Sequence, residues 1–183
     1  MSSGRNDGPL PLGHATTSLA RCVATTAQML ARRQVHLPRQ RVGTVVRLPD
    51  GTSSRVYRET TVDRSPAREP CALVVMFRLR AVRGRGHVWF RRESLLNTPL
   101  FVGFPGFVSK LWLTHDEQGF YRGLYDWDGA DAAASYARSL WWVLALVSEP
   151  GSIHFEVLPG MARDELLVRT ELVARCGQPA GSA

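Results

Sequence analysis

His154 and Glu156 lie two residues apart in SIHFEVL (152–158), a run otherwise almost entirely apolar. In an extended chain both side chains point to one face. An imidazole titrates near neutral pH and a carboxylate beside it raises its pKa, so the pair could shuttle a proton. The plainer alternative is a hydrogen-bonded histidine in the wall of a sheet or at its edge. A second group lies in GFYRGLYDWDGADAAASYARSLWW, residues 119–142. Strand alternation puts Tyr121, Gly123, Tyr125 and Trp127 on one face, and Phe120, Arg122, Leu124 and Asp126 on the other. The gap over Gly123, flanked by two phenols, could admit a ligand to be bound and changed, or could receive a close-packed helix through Ala132, Ala133 and Ala134.

The remaining candidates bind or polarise. Arg122 could anchor a substrate carboxylate or enolate, or form an ion pair with an acidic neighbour. Trp112 suits core packing and stacking on an aromatic ligand equally. It shares a face with Lys110, the single lysine beside 22 arginines, whose rarity assigns it no role by itself. Asn97 in SLLNTPL could donate its amide to a carbonyl or an oxyanion, or simply stop a helix before Thr98-Pro99. His87 opens the same segment, where a helix dipole would favour its neutral form. Trp89 in that segment, and Trp141, one of two adjacent tryptophans that cannot both face a core, complete the candidate binding set.

These residues need a scaffold, and the chain supplies one in a legible order. MSSGRNDGPLPL is rich in Gly, Ser and Pro, and residues 15–34 have helical composition, giving an N-terminal arm over 1–40. VGTVVRLPDGTSSRVYRETTV reads as a hairpin extension over 41–64, turning at Pro49-Asp50-Gly51. DRSPAREP, with its two prolines, bounds the main domain over 70–168, and residues 169–183 form a tail. Within the domain, CALVVMFRLR (71–80) is a buried strand and HVWFRRESLLN (87–97) a short helix. FVSKLWLT and GFYRGLYDW form a hairpin. Residues 130–147 form a helix with Asp128 or Asp131 as its cap, and SIHFEVL is the closing strand. Strand, helix, strand, strand, helix, strand is the ferredoxin-like βαββαβ plan of an α+β protein. Four antiparallel strands with helices on one face leave the other face bare, and a homodimer with its sheets face to face would bury it.

Composition and motif content narrow the chemistry. The net charge is +7, but the arginines are scattered rather than gathered on one motif, so no nucleic-acid partner is expected. No apolar run reaches the length of a membrane span. Cys22, Cys71 and Cys176 include no CxxC pair, which fits a reducing cytoplasm and suggests neither a disulfide framework nor a zinc site. Residues 8–49 lack acidic groups and resemble a transit peptide superficially; an arm covering part of the domain is the preferred reading. Walker spacing, GxGxxG, HExxH and GxSxG are all missing, and the five histidines are dispersed, so no metal or cofactor is expected. Any catalysis would run on acid–base chemistry, positioning and electrostatics.

The run GFPGFVSKLWLTHDEQGFYRGLYDWDGADAAASYA, followed by SEPGSIHFEVLPG, resembles the dimeric α+β-barrel superfamily, in particular its small cofactor-free mono-oxygenases. There a Gly-Phe-x-Ser-Lys-x-Trp strand, which Trp112 would match, precedes a hairpin, a Gly-x-Tyr strand and an alanine-rich helix. The likeness covers about residues 70–160. It implies a dimeric barrel and a cofactor-independent mono-oxygenase acting on a hydrophobic aromatic or polyketide-like molecule in biosynthesis. On that likeness His154, Tyr121, Tyr125 and Asn97 would be catalytic, with Trp112, Arg122, His87, Trp89 and Trp141 holding the substrate. One fold hosts many chemistries. A non-oxidative isomerase or cyclase, or a non-catalytic dimer binding an apolar ligand, therefore stays open.

Overall fold

The computed structural model describes residues 9–48, 50–80 and 98–176. His87, Trp89, Asn97 and the helix expected over 87–97 lie outside them. The described chain runs α1 (Leu12–Ala31), β1 (Val35–His36), β2 (Val45–Arg47), β3 (Ser53–Val62), β4 (Pro70–Arg78), β5 (Phe107–Leu113), β6 (Phe120–Asp128), α2 (Ala130–Val147), β7 (His154–Pro159) and α3 (Arg163–Cys176).

From the β7 edge of the sheet inward the order is β7-β4-β6-β5, every neighbouring pair antiparallel. This is the ferredoxin-like arrangement, in which the first and third strands of βαββαβ lie between the fourth and the second. The sheet does not stop at four strands. β3 pairs with the outer edge of β5 and β1 with β3, so the segment read as an extension is continuous with the sheet. A bulge between Val56 and Arg58 inserts Tyr57 into β3. An extra residue resets strand parity. Tyr57 and Arg58 therefore face the same side, while Val56 and Glu59 face the other.

Two cores lie on opposite faces. On the first, α1, α2 and the 98–106 segment cover Leu73, Val75, Trp112, Tyr125 and Trp127. Trp127 is fully buried among Phe107, Phe104 and Tyr136, with ring centroids 5.0–6.4 Å away. α1 docks through small residues, Ala15, Cys22 and Thr26, leaving Val23 and Leu30 exposed. Gly103 permits this approach: a Cβ there would stand 2.2 Å from the Cys22 carbonyl oxygen. Cys22 and Thr26 both donate to the Pro99 carbonyl.

The second face was expected to be bare, and over β3, β5 and β6 it is not. Val46 and Leu48, from the hairpin arm, bury Val56, Leu111, Leu113 and Leu124, with Leu167 of α3 against them. Arg163 anchors α3 there, donating to Ser109 at 2.8 Å and pairing with Glu59 at 3.4 Å. The bare-sheet premise for a face-to-face dimer therefore fails over these strands. α3 itself has no counterpart in the sequence reading, which placed a tail from residue 169. The cap of α2 also differs. Gly129 takes the N-cap position with no side-chain bond, and Asp128 instead accepts from the Arg68 and Glu69 amides.

Candidate active site

Between α2 and the first face lies a cavity of about 160 Å3. β4 contributes Val75 and Phe77, β6 contributes Tyr121, Gly123 and Tyr125, and β5 contributes Lys110 and Trp112. Tyr57, Phe101, Tyr136 and the apolar face of α2 from Leu140 to Val147 close it. Alternation along β5 and β6, combined with the bulge in β3, aims all of these inward. The lining is apolar and aromatic with a few polar groups, as is usual for small-molecule sites.

Lys110 dominates the site. Its residue is 5% exposed. Nζ stands 3.1 Å from the Trp112 ring centroid and 4.6 Å from those of Phe101 and Tyr125. Among the described residues it has neither a hydrogen bond nor an ion pair, and no carboxylate lines the cavity. The Arg58 guanidinium lies 5.3 Å from the centroid of the same Trp112 ring and donates to Thr98 at 2.7 Å. Two effects oppose each other at the amine. Aromatic faces attract an ammonium by about 2 kcal/mol when desolvated. Burying an ion away from water costs several kcal/mol, and a nearby cation adds repulsion. Burial first, and Arg58 second, hold the Lys110 pKa well below its ordinary value. The amine is therefore biased toward the neutral form, which is both a base and a nucleophile.

The phenols keep their protons. Tyr125 and Tyr136 hydroxyls lie 3.2 Å apart, and burial pushes both pKa values up. The pair shares one of its two hydroxyl protons internally, leaving one to offer to a ligand oxygen. Tyr121 stacks on Phe77 at 6.0 Å and meets the His115 ring edge at 5.6 Å. Trp112 donates its indole N–H to Thr60 at 3.3 Å, which fixes the ring against which Lys110 rests.

The structure thus brings Tyr121, Tyr125 and Trp112 together and separates the other described candidates from them. Phe155 and Val157 take the inward positions of β7, so His154 and Glu156 face solvent on the opposite side and His154 does not line the cavity. Arg122 lines the cavity as a residue, but its guanidinium points to the second face. There it pairs with buried Asp116 and, at 2.8 Å, with Asp50, so it is not available to a substrate anion. Trp141 packs edge-on against Phe155, outside the cavity lining, and Trp142 donates to the Leu10 carbonyl at 2.8 Å. Gly123 lies in the cavity wall, and the space directly over it is not filled by helix alanines. The Lys110 stem and the Tyr125 ring occupy it, and Ala132 packs near Gly106 instead.

Sequence reasoning passed over Lys110, Arg58, Tyr57, Phe101 and Tyr136. For Lys110 a signal existed: the chain's one lysine shares a strand face with Trp112. For Arg58 there was none, because a bulge turns it inward. Among the described residues no cluster of His, Cys, Asp and Glu is suited to a metal, and no helix is long and apolar enough to cross a membrane.

No family model matches the sequence, and no curated protein matches it. Two solved structures are similar to it. One is an anthrone oxidase-like protein, 14% identical, with a TM-score of 0.40 over 59% of this chain and 54% of its own. The other, from Listeria monocytogenes, is an uncharacterized ferredoxin-fold protein related to antibiotic biosynthesis monooxygenases. It is 13% identical, with a TM-score of 0.41 over 60% of this chain and 64% of its own. The chain therefore spans between half and two thirds of the length of these structures. The fold assignment rests on the strand order itself.

Proposed function

We propose that this protein is a cofactor-independent mono-oxygenase that ionises a phenolic or enolic ring in the cavity between α2 and the sheet. The observation that supports this is Lys110: a buried amine, without an acidic partner among the described residues, on the wall of an aromatic cavity. Volume limits what enters. An apolar cavity of about 150 Å3 takes a benzene ring, so about 160 Å3 admits the reacting ring of a larger molecule. The remainder would extend past Val147, which lines the cavity and is 44% exposed.

The chemistry follows from the groups present. Neutral Lys110 takes the proton from a phenol or an activated methylene. The resulting ammonium and the Arg58 guanidinium compensate the anion, and the free proton of the Tyr125–Tyr136 pair bonds its oxygen. The anion passes one electron to dioxygen, and recombination forms a carbon–oxygen bond. At an activated methylene the hydroperoxide then loses water, so that the methylene and one dioxygen become a ketone and one water. All electrons come from the substrate, and no external reductant enters.

The test pairs binding with oxygen uptake. Phenol, 1-naphthol and substituted hydroquinones are titrated against tryptophan fluorescence, which Trp112 reports. Oxygen consumption above the uncatalysed rate is then measured for wild type and Lys110→Met. Uptake in wild type that is lost in Lys110→Met supports the proposal. Turnover that survives strict anoxia would move the reaction to a proton-transfer isomerase or cyclase. Binding without turnover of any probe would leave a ligand carrier.

A further inference from the structure

We infer that Lys110 is also a nucleophile, and that the cavity takes an aromatic aldehyde or ketone and holds it as a covalent imine. This rests on the cavity and the buried amine of the proposed function, and not on dioxygen.

Three features carry it. The first is that the amine is presented rather than tied down. Nζ lies over the Trp112 ring inside the cavity, with no acceptor among the described residues to claim its hydrogens. The second is that two routes to a reactive lysine are combined here, an apolar pocket and a neighbouring cation. Arg58 shares the Trp112 ring, and burial and that charge act in the same direction on the amine. The third is that the carbonyl oxygen has a partner. A Cβ on Gly123 would lie 3.2 Å from Lys110 Cε and 3.1 Å from the Tyr125 hydroxyl, so amine stem and phenol converge over one glycine. The proton that the Tyr125–Tyr136 pair leaves free can bond the carbonyl oxygen while the amine attacks its carbon.

The step balances without an oxidant. The nitrogen lone pair forms the C–N bond, and the carbonyl π pair takes a proton to give a carbinolamine. Loss of water breaks the C–O bond, so that a primary amine and a carbonyl compound become an imine and one water, both amine hydrogens leaving in the water. Where the carbonyl compound is a ketone with an α C–H, protonation of the imine acidifies that C–H and allows proton exchange through the enamine. Hydrolysis restores the amine.

The composition makes the experiment clean. Lys110 is the only lysine, so the N-terminal amine is the only other primary amine able to form such an adduct. Full-length protein is incubated at neutral pH with benzaldehyde and cyanoborohydride, then analysed by intact mass and peptide mapping. The expected result is one benzyl adduct on Lys110, saturable and suppressed by excess phenol, and absent in Lys110→Met and Lys110→Arg. The depressed pKa raises the share of neutral amine at neutral pH, so the adduct should form faster than on Nα-acetyl-lysine. Absence of a Lys110 adduct while benzaldehyde still displaces phenol from the cavity would overturn the covalent inference alone. If phenol produces no fluorescence change either, the proposed function falls with it. Labelling of Lys110 no faster than Nα-acetyl-lysine would also overturn the inference.

Discussion

Gly123 and Lys110 are neighbours across adjacent strands, and a Cβ on Gly123 would stand 3.2 Å from Lys110 Cε. The same atom would meet Tyr125 Cε2 at 2.7 Å. The missing side chain on β6 is therefore what lets the β5 lysine lie over the sheet beside a buried phenol.

Gly123→Ala should displace both groups. Overpacking a filled site costs about 1–3 kcal/mol, so the melting midpoint falls. Fluorescence titration with phenol should show weakened binding, and cyanoborohydride trapping on Lys110 should drop. A variant with wild-type trapping would mean the lysine does not need this position.

Lys110 also carries a pH signature. Its folded pKa lies below the unfolded value near 10.4, so between the two the unfolded chain binds more protons and stability rises with pH. The penalty is complete below the folded pKa and lifts as pH approaches the unfolded one. Lys110→Met removes it, so the variant should be the more stable at neutral pH, with the difference shrinking toward pH 10. Among the described residues, the other charged or titratable groups facing the amine are Arg58, Tyr57, Tyr121, Tyr125 and Tyr136. The raised Tyr125 and Tyr136 pKa values oppose the trend only above their ordinary 10.0. Urea midpoints across pH for both proteins check this. Activity that depends on the neutral amine should rise as pH passes the folded pKa and level off above it.

Arg122→Met should be a stability variant. It strands the buried Asp116 carboxylate, which also accepts from the Gln118 and Phe120 amides. Removing one member of a buried pair costs about 3–5 kcal/mol. The protein that remains folded should bind phenol with wild-type affinity, because the guanidinium lies on the far face. Selective loss of binding would restore Arg122 to the site.

His154→Ala should change stability by no more than about 0.5 kcal/mol, as exposed positions do. Oxygen uptake should be unaltered. A large loss of uptake would show that β7 reaches the chemistry after all.

Gly103→Ala tests the docking of α1. The new Cβ would fall 2.2 Å from the Cys22 carbonyl oxygen and 2.7 Å from the Thr26 amide nitrogen, both backbone atoms that side-chain rotation cannot clear. α1 must shift, and hydrogen exchange should accelerate along Leu12–Ala31. Unchanged protection there would contradict the close approach.

Much of the fold was legible because its signals are local. The apolar run of β4, the turn between β5 and β6 and the spacing of Ala133, Ala137, Leu140 and Leu144 each report on a few successive residues. Tyr121 and Tyr125 could be assigned to one face because side chains alternate along a strand. The arm was harder. α1 buries small residues against Gly103, so its inward face carries little hydrophobic periodicity, and only the contact explains it.

From sequence alone came the βαββαβ order, the aromatic face of β6 and the set of chemistries without a motif. Periodicity and turn preference act along the chain, so these can be read from it. Tertiary structure decided the rest. Burial and charge at a side chain depend on what packs around it from distant segments. A bulge in β3 turns Arg58 toward Trp112, and rings from Phe101, Trp112 and Tyr125 enclose Lys110. The phenol-flanked glycine marked the place, but the fold put a lysine there.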